Sequence, residues 1–317
     1  MTERPFKFVA TEAESGIRLD ILLADSLQIP RSRVHKAILA GEVLVNGAGV
    51  RKSYSLRAGD EIEAKVTELE ELSAAPTPYP LPVHYVDEHI LVIDKPMGMA
   101  AHPAHGWDGP TVLGALIADG YDIQTSGDSY RQGIVHRLDA ATTGLMVVAR
   151  TEVAFQALKT AFQHREVKKT YHALVQGHMP HMNGTIDAPI GRSSTKDFRM
   201  AIRNDGKPAI THYQVVEKHL ETDLLQIELE TGRTHQIRVH CAALHRPCIG
   251  DSQYGANPRL SQALAARRQW LHASNLAFVH PVTGEPLEFS STYPEDLQIV
   301  LEKARQYGES TRALKQK

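Results

Sequence analysis

The sequence predicts an α+β protein in which a small α/β module precedes a larger domain, built on a mostly antiparallel sheet with flanking helices. Three observations support this prediction. The chain has 317 residues, which is more than one compact core usually absorbs. A proline-rich linker at 73–83 separates two regions of different texture. Beyond it, strand-like segments lack the regular alternation with helices that a doubly wound parallel sheet requires.

Residues 1–72, with a core at 16–65, are predicted to form the small module. Its two predicted helices each have an inward-facing apolar set: Leu19, Leu22, Leu23 and Leu27 in the first, and Val34, Ile38 and Leu39 in the second. Ser32 is expected to cap the second helix and Gly41 to end it. The segment "VLVNGAGV" then predicts two short strands joined by an Asn-Gly turn.

Residues 84–305 are predicted to form the larger domain. Five apolar segments predict its strands: "ILVIDKP", "GLMVVA", "TYHALVQ", "THYQVVEKH" and "DLLQIELE". The segment "TEVAFQALKTAFQHR" predicts a helix capped by Thr151. Residues 306–317 are expected to be a flexible tail.

The net charge of −2 excludes a uniformly basic coat for nucleic acid, but the charges are unevenly distributed. Residues 16–59 carry seven Lys and Arg against three Asp and Glu. Arg31, Arg33 and Lys36 lie along the polar side of the second predicted helix, where they are within reach of one phosphate track. This helix is therefore a predicted phosphate-binding face.

Several function classes are disfavoured by composition. The two cysteines are too few for a disulfide framework or a thiolate zinc site. The apolar stretches are too short to cross a bilayer and the N-terminus lacks the pattern of a secretory signal, so we expect a cytoplasmic protein without membrane contact. His235 and His240 are five residues apart, which does not match the helical spacing of a zinc protease, so no metal is expected.

The segment "HRLDAATTGLMVVAR" at 136–150 places Asp139 beside an arginine at the start of a buried strand. Taken alone, this aspartate is most simply explained as a turn residue. The segment "ETGRTHQIRVHCAAL" predicts a helix with Arg238 at its flank, and such an arginine can reach a partly buried carboxylate and keep it ionised. The segment "KKTYHALV" adds Tyr171 as a third candidate.

These motifs, together with "GKPAITHYQVV" and "LHASNLAFVHP", resemble in order and spacing the pseudouridine synthases that modify ribosomal RNA. The resemblance covers residues 16–295 and is nearest to the large-subunit type D. Within it, residues 16–65 resemble the S4-type RNA-binding module. It implies an isomerase without cofactors, a central RNA-binding cleft and a monomeric state. Its implied partner is large-subunit ribosomal RNA, either free or in a pre-ribosomal particle. Uridines in stem-loops of that RNA are the implied targets.

The resemblance also implies a role for each matching residue. Asp139 becomes the catalytic carboxylate, Arg238 its ion-pair partner, and Tyr171 the residue that stacks on or deprotonates the uracil ring. Arg137 is expected to enter the RNA stack and hold the gap left by the flipped nucleotide. Further RNA contacts are expected from Arg31, Arg33, Lys36, His102, Lys168, Lys169, Arg233 and His235. Residues 140 and 141 are alanines, whereas the family pattern has Lys or Arg here and often an acidic residue. We expect this difference to affect one phosphate contact and not the chemistry.

The chemistry suits these residue types. A carboxylate can attack the anomeric carbon or remove the neighbouring sugar proton, and the sequence leaves both open. A protein that only binds RNA is the main alternative, and a protein kinase is excluded because its Gly-rich loop and "DFG" are missing. Convergence of Asp139, Tyr171 and Arg238 in one cleft would favour the enzyme, because a pure binder has no reason to direct an acid at RNA.

Overall fold

In the computed structural model the chain divides into two compact units, Met1–Leu72 and Ser73–Lys317. The residues that the structure describes are 3–27, 29, 31–51, 53–67, 74–104, 107–123, 131–193 and 199–315. None of the helices in these described ranges is both long enough and apolar enough to cross a membrane.

The first unit is a four-stranded antiparallel sheet with two helices. Its strands, in the spatial order β1-β4-β2-β3, are β1 (Glu3–Val9), β2 (Val43–Val45), β3 (Ala48–Gly49) and β4 (Glu61–Thr67). Its helices are α1 (Leu19–Leu27) and α2 (Arg31–Leu39). Leu19, Leu23 and Val34 are fully withdrawn from solvent in a core shared with the sheet. Burial of each large aliphatic side chain contributes about 1.5–3 kcal/mol to such a core.

The two predicted helices and the Asn-Gly turn of this unit are confirmed. Asn46 (φ 52°) and Gly47 (φ 75°) both have the left-handed conformation that a type I′ turn requires. Gly41 (φ 74°) follows α2, as expected of a residue that ends a helix. The short hairpin β2–β3 is therefore set by local turn chemistry.

Three details of this unit differ from the sequence-based expectations. α2 begins at Arg31, so Ser32 lies inside the helix and is not its N-cap. Leu39 is 82 % exposed instead of inward-facing, because it lies about 140° around the helix from the buried Val34. The strand β1 lies ahead of the predicted core at 16–65 and pairs with β4, and its alternating Phe6 and Phe8 pack on the core of this unit.

The second unit contains most of the secondary structure. Its described strands are β5 (Val83–Val86), β6 (Ile90–Lys95), β7 (Thr143–Ala149), β8 (Lys168–Gln176), β9 (Asn183–Asp187), β10 (Ile190–Arg192), β11 (Met200–Ile202), β12 (Ile210–Lys218), β13 (Thr222–Leu229), β14 (Leu271–Val279) and β15 (Pro286–Ser290). Its described helices are α3 (Val112–Ala118), α4 (Glu152–Gln163), α5 (Gln236–Ala243), α6 (Pro258–Ala263) and α7 (Glu295–Lys315). A short 3-10 helix spans Ser252–Tyr254.

Nine strands form one sheet in the order β5-β6-β7-β14-β8-β13-β12-β9, with β15 paired to β14. Of the described strand pairs in this sheet, β7–β14 alone is parallel, so the predicted α+β, mostly antiparallel fold is confirmed. The five predicted strand segments correspond to β6, β7, β8, β12 and β13. At Gly144 (φ 116°) a Cβ atom would lie 2.2 Å from the Ala273 carbonyl oxygen, so β7 can approach β14 here only with glycine.

The strand β7 is buried along its whole length and anchors the turn that precedes it. Met146 and Val148 pack in the cluster that includes α3, whereas Leu145 and Val147 pack in the cluster that includes α4. This division follows from the alternation of side chains along a strand. Thr151 caps α4, as predicted, by accepting a hydrogen bond from the backbone of the first turn.

The flexibility of the tail at 306–317 stays a prediction, and α7 continues through this segment to Lys315. Leu297, Val300 and Leu301 anchor the start of α7 in a cluster with Trp270. No proline follows in the sequence, so an anchored helix can propagate beyond its packed turns.

Candidate active site

The turn before β7 carries Asp139 at its first position. The backbone N–H of Thr142 donates to the Asp139 carbonyl oxygen at 2.9 Å, which closes the turn. The Asp139 side chain is 16 % exposed, and its Oδ2 accepts a hydrogen bond from Arg238 on α5. The carboxylate thus contacts a residue about a hundred positions away in the sequence. An aspartate that only stabilises a turn needs no such distant contact.

Helix α5 presents an arginine that is held in one orientation. Arg238 Nη1 donates to Asp139 Oδ2 at 3.1 Å, while Nε and Nη2 donate to the two carboxylate oxygens of Asp251 at 2.7 and 2.9 Å. Nη2 also donates to Gln253, and the guanidinium carbon lies 4.8 Å from the centroid of the Tyr254 ring. Burial opposes the charge, but the hydrogen bonds and charge of Asp251, followed by Asp139, outweigh it and raise the pKa of Arg238. Arg238 therefore stays charged.

Two further buried basic side chains hold the backbone of the same turn. Lys95 Nζ, fully buried, donates to the Ala140 carbonyl oxygen at 3.2 Å. Arg268 Nη1 donates to the Ala141 carbonyl oxygen at 2.8 Å, while its Nε and Nη2 bind the carboxylate of Asp296. Burial lowers the pKa of Lys95 to about 7. The turn is therefore fixed by hydrogen bonds from Lys95 and Arg268 to its backbone as well as by Arg238 at its carboxylate.

An open cavity of about 70 Å³ lies beside this pair of charged side chains. Its lining includes Asp139, Arg238 and Tyr171, together with the apolar side chains of Leu229, Ile237 and Leu271. The three predicted catalytic residues thus converge on one cavity. A charged pair beside an apolar wall suits a ligand that has a flat, weakly polar part and a reactive polar part.

Tyr171 reaches the cavity from β8, in the middle of the sheet. It pairs with Ile227 on one side and Ala273 on the other, and it is 7 % exposed. Burial, and then the negative charge of Asp139, raise the pKa of Tyr171. Its hydroxyl therefore stays protonated at neutral pH, and its ring forms part of the apolar wall.

Three of the predicted RNA contacts also line the cavity: Arg137, Arg233 and His235. Arg137 is exposed. His235 has a left-handed backbone (φ 57°) at the start of α5. Its Nδ1 lies 2.7 Å from the Tyr254 hydroxyl, and its Nε2 lies 3.8 Å from Asp139 Oδ1. Burial lowers the pKa of His235, which favours the neutral imidazole.

His102, Lys168 and Lys169 do not line this cavity. Nδ1 of His102 lies 2.7 Å from the carbonyl oxygen of Pro103, and its side chain is largely buried. Lys169 Nζ lies 5.4 Å from the centroid of the Phe162 ring, and Lys168 is exposed at the start of β8. The structure does not bring these residues to the cavity, and their contact with RNA elsewhere stays a prediction.

The first unit contains a second carboxylate–arginine group, the Asp20 cluster, formed by Asp20, Arg18, Arg31 and His35. Arg18 donates to both oxygens of Asp20 at 2.9 and 3.1 Å, and Arg31 Nη2 donates to Oδ2 at 2.7 Å. His35 Nε2 also lies 2.7 Å from Oδ2. Burial opposes the charge of Asp20, but the hydrogen bonds from Arg18, Arg31 and His35 outweigh it and lower the pKa of Asp20.

The three predicted phosphate contacts on α2 differ in their exposure. Arg31 is 52 % exposed although it binds Asp20. Lys36 is exposed and Arg33 is half-buried. A phosphate can therefore reach Arg31 and Lys36 more directly than Arg33.

Four further residues shape the site and are not predicted from the sequence: Lys95, Asp251, Tyr254 and Arg268. Asp251 follows a glycine in "GDSQYG", a pattern typical of a turn, and it does accept a hydrogen bond from the Tyr254 backbone in the short 3-10 helix. Its second role, binding Arg238, depends on a contact that no local pattern encodes. Lys95 and Arg268 resemble ordinary charges at the ends of strands until their burial is known.

In the described part of the chain, no group of three or more His, Cys, Asp or Glu side chains is arranged to hold a metal ion. His235 and His240, the pair considered from the sequence, have different partners, since Nδ1 of His240 lies 2.9 Å from the Thr211 hydroxyl. The two histidines therefore do not converge on one point.

Comparison with known proteins matches both units to families. Residues 89–243 match the RNA pseudouridylate synthase family, and residues 17–62 match the S4 domain. The chain is 47 % identical over 302 residues to an uncharacterized RNA pseudouridine synthase of Mycobacterium bovis, covering 93 % of this chain and 96 % of that one. It is 40 % identical over 308 residues to ribosomal large subunit pseudouridine synthase D of Xanthomonas campestris, covering 94 % and 92 %. The solved structure of human RNA pseudouridylate synthase domain containing 4 is similar with a TM-score of 0.57 and 25 % identity, covering 71 % and 93 %.

Proposed function

Because the chain belongs to the RNA pseudouridine synthase family, whose members are isomerases, we propose that it converts uridines of large-subunit ribosomal RNA to pseudouridine. Asp139 is the proposed catalytic carboxylate. The observation that carries the proposal is the convergence of Asp139, Arg238 and Tyr171 on one cavity. The name of the Xanthomonas relative supports the large subunit as the source of the substrate.

The reaction rearranges bonds without any gain or loss of electrons. The bond between ribose C1′ and uracil N1 breaks, the base rotates, and a new bond joins C1′ to C5. The proton on C5 is lost and N1 gains one, so the product is an isomer of the substrate. A carboxylate and a site that holds the detached base are therefore the main requirements, and we expect neither a redox cofactor nor a metal.

The geometry suits a carboxylate that must stay ionised and accessible. Arg238 binds Oδ2 of Asp139, which leaves Oδ1 toward His235 and the cavity. Asp139 either attacks C1′ or removes the proton on C2′, and both roles need an ionised oxygen near the ribose.

The apolar wall supplies a place for the uracil ring. Tyr171, Leu229 and Leu271 give a surface on which a flat base can lie. The raised pKa of Tyr171 favours stacking over proton abstraction, because a phenolate is costly to form there. Arg137, exposed beside the cavity, is the proposed residue that fills the gap in the RNA after the uridine leaves its stack.

RNA binding without catalysis is the alternative that the site disfavours. A protein that only bound RNA would lose affinity by directing a carboxylate at a polyanion. Asp139 nevertheless lines the cavity and is fixed there by Arg238. A catalytic role accounts for this arrangement, whereas a binding role does not.

We extend the proposal to the setting in which the protein acts. The S4-type module is proposed to add affinity through phosphate contacts rather than chemistry. One chain supplies all three proposed catalytic residues, so we propose that a monomer is active. We also propose that it acts in the cytoplasm, on free ribosomal RNA or on a pre-ribosomal particle.

Mapping pseudouridines in ribosomal RNA tests this function. A strain that lacks the gene is complemented with the wild type, with Asp139→Asn, or with the control Asp205→Asn, whose side chain is 70 % exposed. We expect one or more large-subunit pseudouridines to disappear in the deletion strain and to return with the wild type and the control only. Identical maps in all strains, or full restoration by Asp139→Asn, would contradict the proposal.

A further inference from the structure

His235 stands between two groups that define its hydrogen-bonding state. Its side chain is 18 % exposed, at the edge of the cavity. One ring nitrogen, Nδ1, lies 2.7 Å from the Tyr254 hydroxyl, and the two rings meet edge to face. The other, Nε2, faces Asp139 Oδ1.

Hydrogen-bond accounting favours one tautomer of His235. The Tyr254 hydroxyl accepts a hydrogen bond from the Met200 backbone N–H at 3.0 Å. Its single hydrogen is then available for His235 Nδ1, which accepts it. Burial raises the pKa of Tyr254 and lowers the pKa of His235, so both groups stay neutral near pH 7. The proton of the neutral imidazole is therefore on Nε2 and is directed toward Asp139.

The distance between His235 and Asp139 is longer than that of a direct hydrogen bond. The Nε2–Oδ1 distance is 3.8 Å, whereas an N–H···O bond spans about 2.7–3.2 Å. A group placed beside both must accept from Nε2–H and donate to the carboxylate oxygen. A hydroxyl does both at one atom, a uracil carbonyl can only accept, and a uracil N–H can only donate.

The chemistry of an RNA chain then identifies the hydroxyl. Within a chain, the 3′ and 5′ oxygens of a nucleotide are esterified to phosphate, and the 2′ oxygen alone keeps its hydrogen. The 2′ carbon is bonded to C1′, the atom at which the proposed reaction occurs. A 2′-hydroxyl held at this position would therefore place C1′ next to Asp139.

We propose that His235 binds the 2′-hydroxyl of the target nucleotide, with Tyr254 fixing its tautomer and Asp139 as the second partner of that hydroxyl. The site thus selects a ribonucleotide over a deoxyribonucleotide at the target position, since the 2′-OH distinguishes the two. This inference rests on the proposed function and assigns a specificity role to a residue outside the Asp139–Arg238 pair.

Two amide substitutions separate the roles of the two ring nitrogens. The side chain of His235→Asn places its amide near the position of Nδ1, and Asn tolerates the left-handed backbone at this position. The side chain of His235→Gln extends to the position of Nε2 and keeps an N–H donor there. The Asn variant therefore loses the proposed contact with the ribose, whereas the Gln variant keeps it.

The probe is a synthetic RNA stem-loop that contains a uridine shown by mapping to be converted. A second stem-loop has 2′-deoxyuridine at that position, and a third has the 2′-deoxy change at a neighbouring position as a control. Dissociation constants are measured by fluorescence anisotropy on ice, before turnover. Comparing the same RNA pair across variants cancels the intrinsic effect of the sugar on RNA structure.

We expect the wild type and His235→Gln to bind the ribo target about 5- to 10-fold more tightly than the 2′-deoxy target, as one hydrogen bond implies. For His235→Asn the ratio should fall to about 1–2, and the neighbouring-position control should show no dependence on the variant. If His235 had only a structural role, His235→Asn would weaken the binding of both RNAs equally and leave the ratio of their dissociation constants unchanged.

Discrimination by His235→Asn as strong as that of the wild type would overturn the inference. If His235→Asn binds RNA too weakly for the ratio of dissociation constants to be measured, His235→Gln provides the test. Equal binding of the ribo and 2′-deoxy targets by His235→Gln would then overturn the inference. Failure of the wild type to convert any uridine contradicts the proposed function instead. The two failures are thus distinguishable.

Discussion

The Asp20 cluster and the Asp139–Arg238 pair use the same residue types in opposite ways. Asp20 is fully buried, while the arginines it binds, Arg18 and Arg31, are 42 % and 52 % exposed. At the other site the arginine is buried, with Arg238 6 % exposed, and the carboxylate of Asp139 is 16 % exposed. We propose that in the first case the carboxylate orients arginines for an anion, and that in the second the arginine orients a carboxylate for chemistry.

The charge balance of the two groups agrees with this difference. In the first unit, two arginines share the single carboxylate of Asp20, so these three groups together carry a net positive charge. In the second, Arg238 is shared by Asp139 and Asp251, so the group carries a net negative charge. A phosphate is attracted to the first group, whereas the second needs a specific reason to face RNA.

Replacing Arg238 should produce the largest effect after loss of Asp139 itself. Arg238→Lys keeps the charge but cannot bind Asp139 and Asp251 together, because a lysine lacks the planar fork of donors. We expect kcat to fall by about 100-fold or more from misplacement of Asp139, with little change in RNA affinity. Arg233→Lys, at the same cavity, is the control. A kcat for Arg238→Lys equal to that of the control would show that the pair is not needed for catalysis.

Replacing Arg31 should affect binding and leave the chemistry intact. Arg31→Gln removes one exposed positive charge while Arg18 and His35 remain beside Asp20. We expect RNA affinity to fall several-fold and the slope of log K against log salt to decrease by about 0.7–0.9, the value for one phosphate contact. The control is Lys7→Gln, at an exposed ion pair on β1. A fall in kcat at saturating RNA would contradict the separation of the two groups.

Removing the hydroxyl of Tyr171 should have a small effect. Because burial raises the pKa of Tyr171, its phenolate is not available as a base near neutral pH, and the ring is the useful part. We expect the kcat of Tyr171→Phe, measured between pH 7 and 9, to stay within about threefold of the wild-type value. This corresponds to a change of less than about 1 kcal/mol in the activation free energy. A loss of several orders of magnitude would instead assign the proton transfer to Tyr171.

Chelation should have no effect on activity. The residues proposed to act are a carboxylate, a guanidinium and an aromatic ring, and each performs its role without a metal. Tritium release after prolonged treatment with a chelator should match the untreated rate. Activity that disappears and returns with zinc alone would require a metal in the reaction.

The sequence predicts best where local patterns decide the structure. The Asn46–Gly47 turn follows from backbone preferences, and the strands β6, β7 and β13 follow from apolar patterns that tertiary contacts reinforce. Leu39 shows the limit of this reasoning. Its residue type suggests burial, but its angle around α2 places it in solvent.

The site itself depends on contacts between distant parts of the chain. The resemblance to a family pointed to Asp139 and Arg238, which are 99 positions apart. Nothing in the local sequence indicated that Asp251 would share Arg238, or that Lys95 and Arg268 would each bind a carbonyl oxygen of the turn. These contacts join β6, α5 and the segments just before the 3-10 helix and β14, and periodicity alone does not define them.

The most direct test compares Asp139→Asn and Arg31→Gln in two assays on the same RNA: tritium release from uracil labelled at C5, and a filter-binding titration. Asparagine keeps the shape of Asp139 but cannot act as nucleophile or base. We predict that Asp139→Asn binds RNA with wild-type affinity and releases no tritium, whereas Arg31→Gln binds more weakly and releases tritium at the wild-type rate once saturated. Tritium release by Asp139→Asn at the wild-type rate would show that Asp139 is not the catalytic carboxylate.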